Sequence, residues 1–284
     1  MTLWHAAARA DIYPDPVLEL PRSVRLAAWG TAVLGGQATV EAAVRAVTLD
    51  DEPHLVGDAD DALALPPEAG LAGVLGRLAE LGTPGLRVVL PAPGDVAGLP
   101  GPPPFNATAL AAGECVLTEP VTQGWAAALA SPLGLAPQVS VFGSPWEPGA
   151  TVKWSVHRVN PTRVTLFGSL AEAERELREA LVSAAETLAR LDVARWRDDA
   201  ADRVAAVRDG SLPDRALPPS APGRTARVLA MAARVRAIVE LATEDDGAAV
   251  TGHEARQRSA ALRELDGVSR RALAAAVNGM LEPR

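Results

Sequence analysis

Residues able to do chemistry are scarce in this 284-residue chain, which has four histidines, one cysteine, one tyrosine and one lysine. The densest group is Asp50-Asp51-Glu52-Pro53-His54, followed by Asp58, Asp60 and Asp61. Six carboxylates and a histidine within twelve residues offer oxygen and nitrogen donors to a divalent cation. His54, Asp58 and Asp60 are the candidate metal ligands. A calcium loop alternates its ligands around a central glycine and closes on a glutamate. Here residues 50–52 are consecutive and no closing glutamate follows, so a solvated acidic loop is the competing reading.

The second group is His157-Arg158 with Asn160, at the end of the clearest strand. Arginine can hold a carboxylate or phosphate through two parallel hydrogen bonds, and α/β ligand sites gather at strand ends. His157 and Arg158 are therefore the candidate ligand-binding pair, weighed against an ordinary surface pair. A third group, His253-Glu254-Ala255-Arg256-Gln257, falls one residue short of the zinc-protease pattern, with Gln257 where the second histidine belongs. Thr251 and Glu254 form a capping box that starts a helix at Gly252, which explains the group structurally. Glu244-Asp245-Asp246 sits just past a predicted helix end, where carboxylates oppose the dipole, and a hinge explains it equally well.

Other chemistries are excluded. A P-loop needs a lysine in a glycine-rich turn, whereas Lys153 falls in a strand. Neither GxGxxG after a strand nor GxSxG is present. The single cysteine, Cys115, excludes cysteine-rich zinc sites and any disulfide within the chain, and reads as core. The residues name no cofactor.

The elements that must position these groups divide the chain in two. Residues 1–167 read as a mixed α/β domain and residues 168–284 as a helical one, with the two able to pack as one cooperative unit. In the first part, helical spacing runs from Arg22 to Leu49, broken at Gly35-Gly36 and restarted with Thr39 as N-cap. A second helix covers Ala69–Leu81 and stops at Gly82. Strands are expected at Leu86–Leu90, Glu114–Thr118, Gln138–Phe142, Thr151–Val159 and Val164–Phe167, with Glu147-Pro148-Gly149 turning a hairpin. Residues 50–61 and the proline-rich stretch 91–104 read as loops, the latter as a rigid crossover or lid. Pro120 to Trp146 carries no charge; its prolines and polar residues argue for buried core over a membrane span.

In the second part, Ser169 and Glu172 form a capping box, and Leu177, Leu181, Ala184, Leu188 and Leu191 make an apolar seam. Glu174/Arg178 and Glu186/Arg190 are spaced as stabilising pairs. The helix continues from Val193 to Val207, breaks over Gly210–Gly223, and is followed by helices from Arg224 to about Thr243 and from about His253 to Leu281. Together these predict an α+β or α/β protein: a small mixed sheet with helices, then an antiparallel helical bundle.

Charge limits the partners. Residues 1–167 carry 9 basic and 16 acidic groups, net −7, and residues 168–284 carry 18 and 19, net −1. Such a balance disfavours nucleic acid and anionic membranes. The arginines of the terminal helices and a helix-turn-helix bend at Asp266-Gly267 favour nucleic acid, against a near-neutral charge balance and the lack of aromatics there. Composition at 48% hydrophobic, with no signal-peptide run, fits a soluble cytoplasmic protein. Two functions follow. The first is a non-enzymatic binding or protein-interaction module, whose partner is another protein or a second copy. The alternative is a metal-assisted hydrolase or other enzyme acting on a small anionic substrate.

Overall fold

The computed structural model describes residues 18–49, 53–58, 60–66, 68–121, 131–144, 147–161, 168–190, 207–243 and 252–281. The chain groups into two compact units. One comprises Leu20–Phe167, Asp214–Pro222 and Val277–Arg284; the other comprises Met1–Glu19, Gly168–Pro213 and Gly223–Ala276.

The first unit is α+β. Its helices are α1 (Arg22–Leu34), α2 (Val40–Thr48), α3 (Gly70–Glu80) and α4 (Pro103–Ala112). Its strands are β1 (His54–Gly57), β2 (Leu86–Val89), β3 (Cys115–Thr118), β4 (Leu133–Ser144) and β5 (Glu147–Arg158), in the order β1-β5-β4-β3-β2. Among these strands only β1 and β5 pair in parallel. The break at Gly35-Gly36 stands, and the Thr39 hydroxyl accepts from the Ala42 N–H at 3.2 Å. Gly82 takes a left-handed conformation past α3, where a residue without Cβ is at no disadvantage.

Helix α1 starts after Pro21 with no cap from its own sequence. Instead the buried Glu114 carboxylate accepts from the Ser23 N–H at 2.7 Å, an anion at the helix's positive end supplied from 91 residues away. At the far end of α1, Thr31 Oγ1 accepts from Leu86 N at 3.0 Å and donates to Leu86 O at 3.2 Å. Gly30 lets the helix approach the sheet: a Cβ there would lie 2.4 Å from a Leu86 methyl.

Both sheet faces are covered where β2, β3 and β4 meet. One face presents Val89, Cys115, Leu117 and Ala136 to Phe105 and Ala109 of α4, closing a core with Val159. The other presents Leu86, Val88, Val116 and Leu135, all buried. Continuous burial explains why β3 reads as an unbroken apolar run rather than an alternating one.

Three expectations change. Residues 54–57 form a strand inside the expected acidic loop, because β5 supplies a neighbour for a segment too short to show a period. Residues 103–112 form a helix, with prolines at its start, where their missing N–H groups cost nothing. Glu147–Gly149 belongs to β5 rather than to the turn, since Ser144 pairs with Glu147. The strand expected at 164–167 lies outside the described residues.

The second unit is a helical bundle, with α5 (Leu170–Arg190), α6 (Gly223–Thr243) and α7 (Gly252–Asn278), the last two residues of α7 belonging to the first unit. The predicted capping box forms: Ser169 N donates to Glu172 Oε2 at 2.7 Å and Glu172 N to Ser169 Oγ at 3.3 Å. Glu174 pairs with Arg178 and also accepts from Arg224 of α6 at 2.9 Å. Arg258 of α7 donates to Ala242 O of α6 at 2.6 Å. Ala173, Leu177, Ala180 and Ala184 are the buried stripe of α5. Helix α7 runs unbroken through Asp266-Gly267, with Arg270 donating to Asp266 at 2.8 Å, so no helix-turn-helix bend exists there. The helix expected over 193–207, the Glu186/Arg190 pair, Glu244-Asp245-Asp246 and Thr251 lie outside the described residues or side chains. Among the described residues, no helix is long and apolar enough to cross a membrane.

Candidate functional site

Alternation along β5 buries Val152, Trp154 and Val156 on one face and places His157 on the other, leaving Arg158 exposed. The His157 ring packs on Phe105 of α4 with centroids 5.7 Å apart. Its Nδ1 lies 3.8 Å from Asp60 Oδ2, an ion pair only when the imidazole is protonated. Its Nε2 is buried with no hydrogen-bond partner. Arg158 Nη2 donates to Asp61 O at 3.5 Å. Strand geometry therefore turns these neighbours to opposite faces of the sheet.

The acidic segment is spent differently from residue to residue. Trp154 Nε1 donates to His54 Nδ1 at 3.1 Å, so the neutral His54 ring carries its proton on Nε2. Asp58 accepts from Ala62 N at 2.7 Å and Leu63 N at 2.8 Å, one bond to each carboxylate oxygen, and so closes its own loop. Asp60 faces His157. Among the described residues no three His, Cys, Asp or Glu side chains are placed to hold a metal ion, so His54, Asp58 and Asp60 do not assemble into one. Residues 50–52 lie outside the described residues. Cys115 is fully buried, and burial, with the Glu114 charge adding to it, pushes its thiol well above the usual range; it is core rather than a nucleophile.

The outer half of the β4–β5 hairpin gathers exposed apolar side chains. The two strands pair along their whole length, from Leu133↔Arg158 to Ser144↔Glu147. β3 pairs with β4 only at Gly134 and Leu135, and β1 pairs with β5 only from Val152 to Ser155. Residues 137–143 of β4 thus have a strand on one side alone among the described residues. Pro137, which has no N–H to donate, stands where β3 stops. Val139, Val141 and Phe142 are 38%, 47% and 54% exposed. Sequence reasoning assigned this uncharged stretch to buried core. The overlooked signal was a proline within a long apolar strand, which marks an edge.

Two family models match the chain: Rv1486c-like protein, N-terminal domain, over residues 23–166, and Rv1486c-like protein, C-terminal domain, over residues 171–274. Among curated relatives, "Uncharacterized protein Rv1486c" of Mycobacterium tuberculosis (strain ATCC 25618 / H37Rv) is 32% identical over 289 residues, spanning 91% of this chain and 96% of its own length. "Uncharacterized protein ML1804" of Mycobacterium leprae is 30% identical over 298 residues, spanning 91% and 97%. No solved structure matches.

Proposed function

We propose, for a chain that belongs to the Rv1486c-like protein family, a function in binding another protein rather than in catalysis. The observation that carries this reading is the edge of β4 from Gln138 to Gly143, beside which no further strand lies among the described residues. An unpaired edge offers a row of backbone donors and acceptors, and proteins usually guard such rows with lysine or inward-pointing charge. β4 has no charged residue from Leu133 to Ser144. An extended segment of a partner adds to this edge through backbone hydrogen bonds, with Val139 and Val141 supplying apolar contact on one face.

Catalysis fits less well. The His157–Asp60 pair has the form of a base with its orienting carboxylate, yet the imidazole nitrogen that would meet a substrate is sealed in the core.

A photo-crosslinking residue at position 140, introduced into the chain in its native host, tests the reading. A crosslinked partner is expected. Val141→Lys should abolish the crosslink while changing stability by no more than about 0.5 kcal/mol, as for other exposed sites. Sedimentation of the purified chain separates a foreign partner from a second copy. Crosslinking that is absent, or unchanged in Val141→Lys, overturns the reading.

A further inference from the structure

Apart from the hairpin edge, the first unit holds a cleft of about 230 Å³ between the end of α3, the ends of β3 and β5, and the start of β4. That is below the roughly 300–1,000 Å³ of drug-sized sites, so it suits a small ligand. Its polar lining is Arg77, Thr83, Thr118, Glu119, Ser131 and Arg158, over an apolar floor that includes Leu78 and Leu133.

The charge balance of this lining runs against the acidic half of the chain around it. Glu119, its carboxylate, is occupied by Arg87, which donates to it at 2.5 Å from outside the cleft in a mostly buried pair. Arg77 pairs with the solvent-exposed Glu80, at 2.9 Å, and such a surface pair is weak. Arg158 is held by a backbone carbonyl, that of Asp61.

The two arginines also share an anchor. Arg77 Nε donates to Leu63 O at 3.3 Å and Arg158 Nη2 to Asp61 O, so both hang from the loop that Asp58 closes. A loop fixed in this way pre-orients both forks at little entropic cost when a ligand arrives. Each fork retains donors beyond these bonds.

We propose that the cleft is a binding site for a small oxyanion, a carboxylate or a phosphate, with its charged group held between Arg77 and Arg158. Asp58, the sequence's candidate metal ligand, serves here as a positioning residue for the loop that carries both arginines.

Calorimetric titration of the purified full chain with inorganic phosphate, and separately with succinate, tests the proposal. Saturable binding of at least one probe, with a Kd of about 1 mM or tighter, is expected, and the probe that binds distinguishes phosphate from carboxylate ligands. Arg158→Gln should weaken it about tenfold or more, the scale of one charged hydrogen bond. Arg175→Gln, which removes an exposed arginine on α5, should leave it unchanged. If Arg158→Gln fails to fold, Arg158→Lys, which keeps the charge and loses the fork, should still weaken binding. Absence of saturable binding by both probes overturns the proposal, as does equal affinity in the Arg158 variants or equal loss in Arg175→Gln.

Discussion

Asn278 completes the outer edge of β2 with its side-chain amide. The Val88 N–H donates to Asn278 Oδ1 at 2.8 Å, and Asn278 Nδ2 donates to Val88 O at 3.0 Å, across 190 residues of sequence. Two residues earlier on the same edge, Thr31 Oγ1 serves Leu86 in the same way. The last strand of the sheet thus has its outward peptide groups covered by side chains, while residues 138–143 of β4 have no strand on their outer side among the described residues. Among the described residues, one edge is closed by side chains and the other is not.

Replacing Asn278 tests the closed edge. Asn278→Ala leaves the buried Val88 N–H and C=O without partners, so a loss of about 1–3 kcal/mol in unfolding free energy is expected. Denaturant melts should show the midpoint falling with an unchanged slope, because the surface exposed on unfolding is the same.

Cys115 reports on the core beneath α4. Its thiol is buried and its ionisation is suppressed, and the thiolate is the reactive form. Ellman's reagent at pH 8 should label it only in denaturant. Fast labelling of the folded chain would show that the Phe105 core opens readily.

Glu172 gives α5 a dependence on pH. The Ser169 N–H and then the Ser169 hydroxyl hold its carboxyl below the usual carboxylate range. A carboxylate lowered on folding stabilises the folded state above its unfolded value of about 4.3 and loses that contribution as pH falls through the lowered value. The first turn of α5 should therefore loosen on acidification below about pH 4, read as faster amide exchange near Ser169. Glu172→Gln should remove most of this dependence, because it leaves no group to titrate.

Local chemistry was legible in the residues alone. Thr39 and the Ser169–Glu172 box cap their helices using atoms within three residues, Gly82 ends α3 by its own conformational freedom, and β5 alternates because a strand has period two. Each signal acts over one turn or one strand, so the residues carry it directly. His157 and Arg158 were likewise separable onto two faces from alternation alone.

Tertiary structure decided what depends on a distant partner. His-Leu-Val-Gly at 54–57 became a strand only because β5 lies beside it, and Glu114 became a helix cap only because the fold sets β3 against the start of α1. Asp58, Asp60 and His54 look alike as donors in sequence, yet they separated into a loop closure, a neighbour of His157 and an acceptor for Trp154. Composition indicated that residues 133–144 were apolar and uncharged. Whether that strand is core or open edge depends on where its neighbours stop, and the lengths of β1 and β3 set that limit.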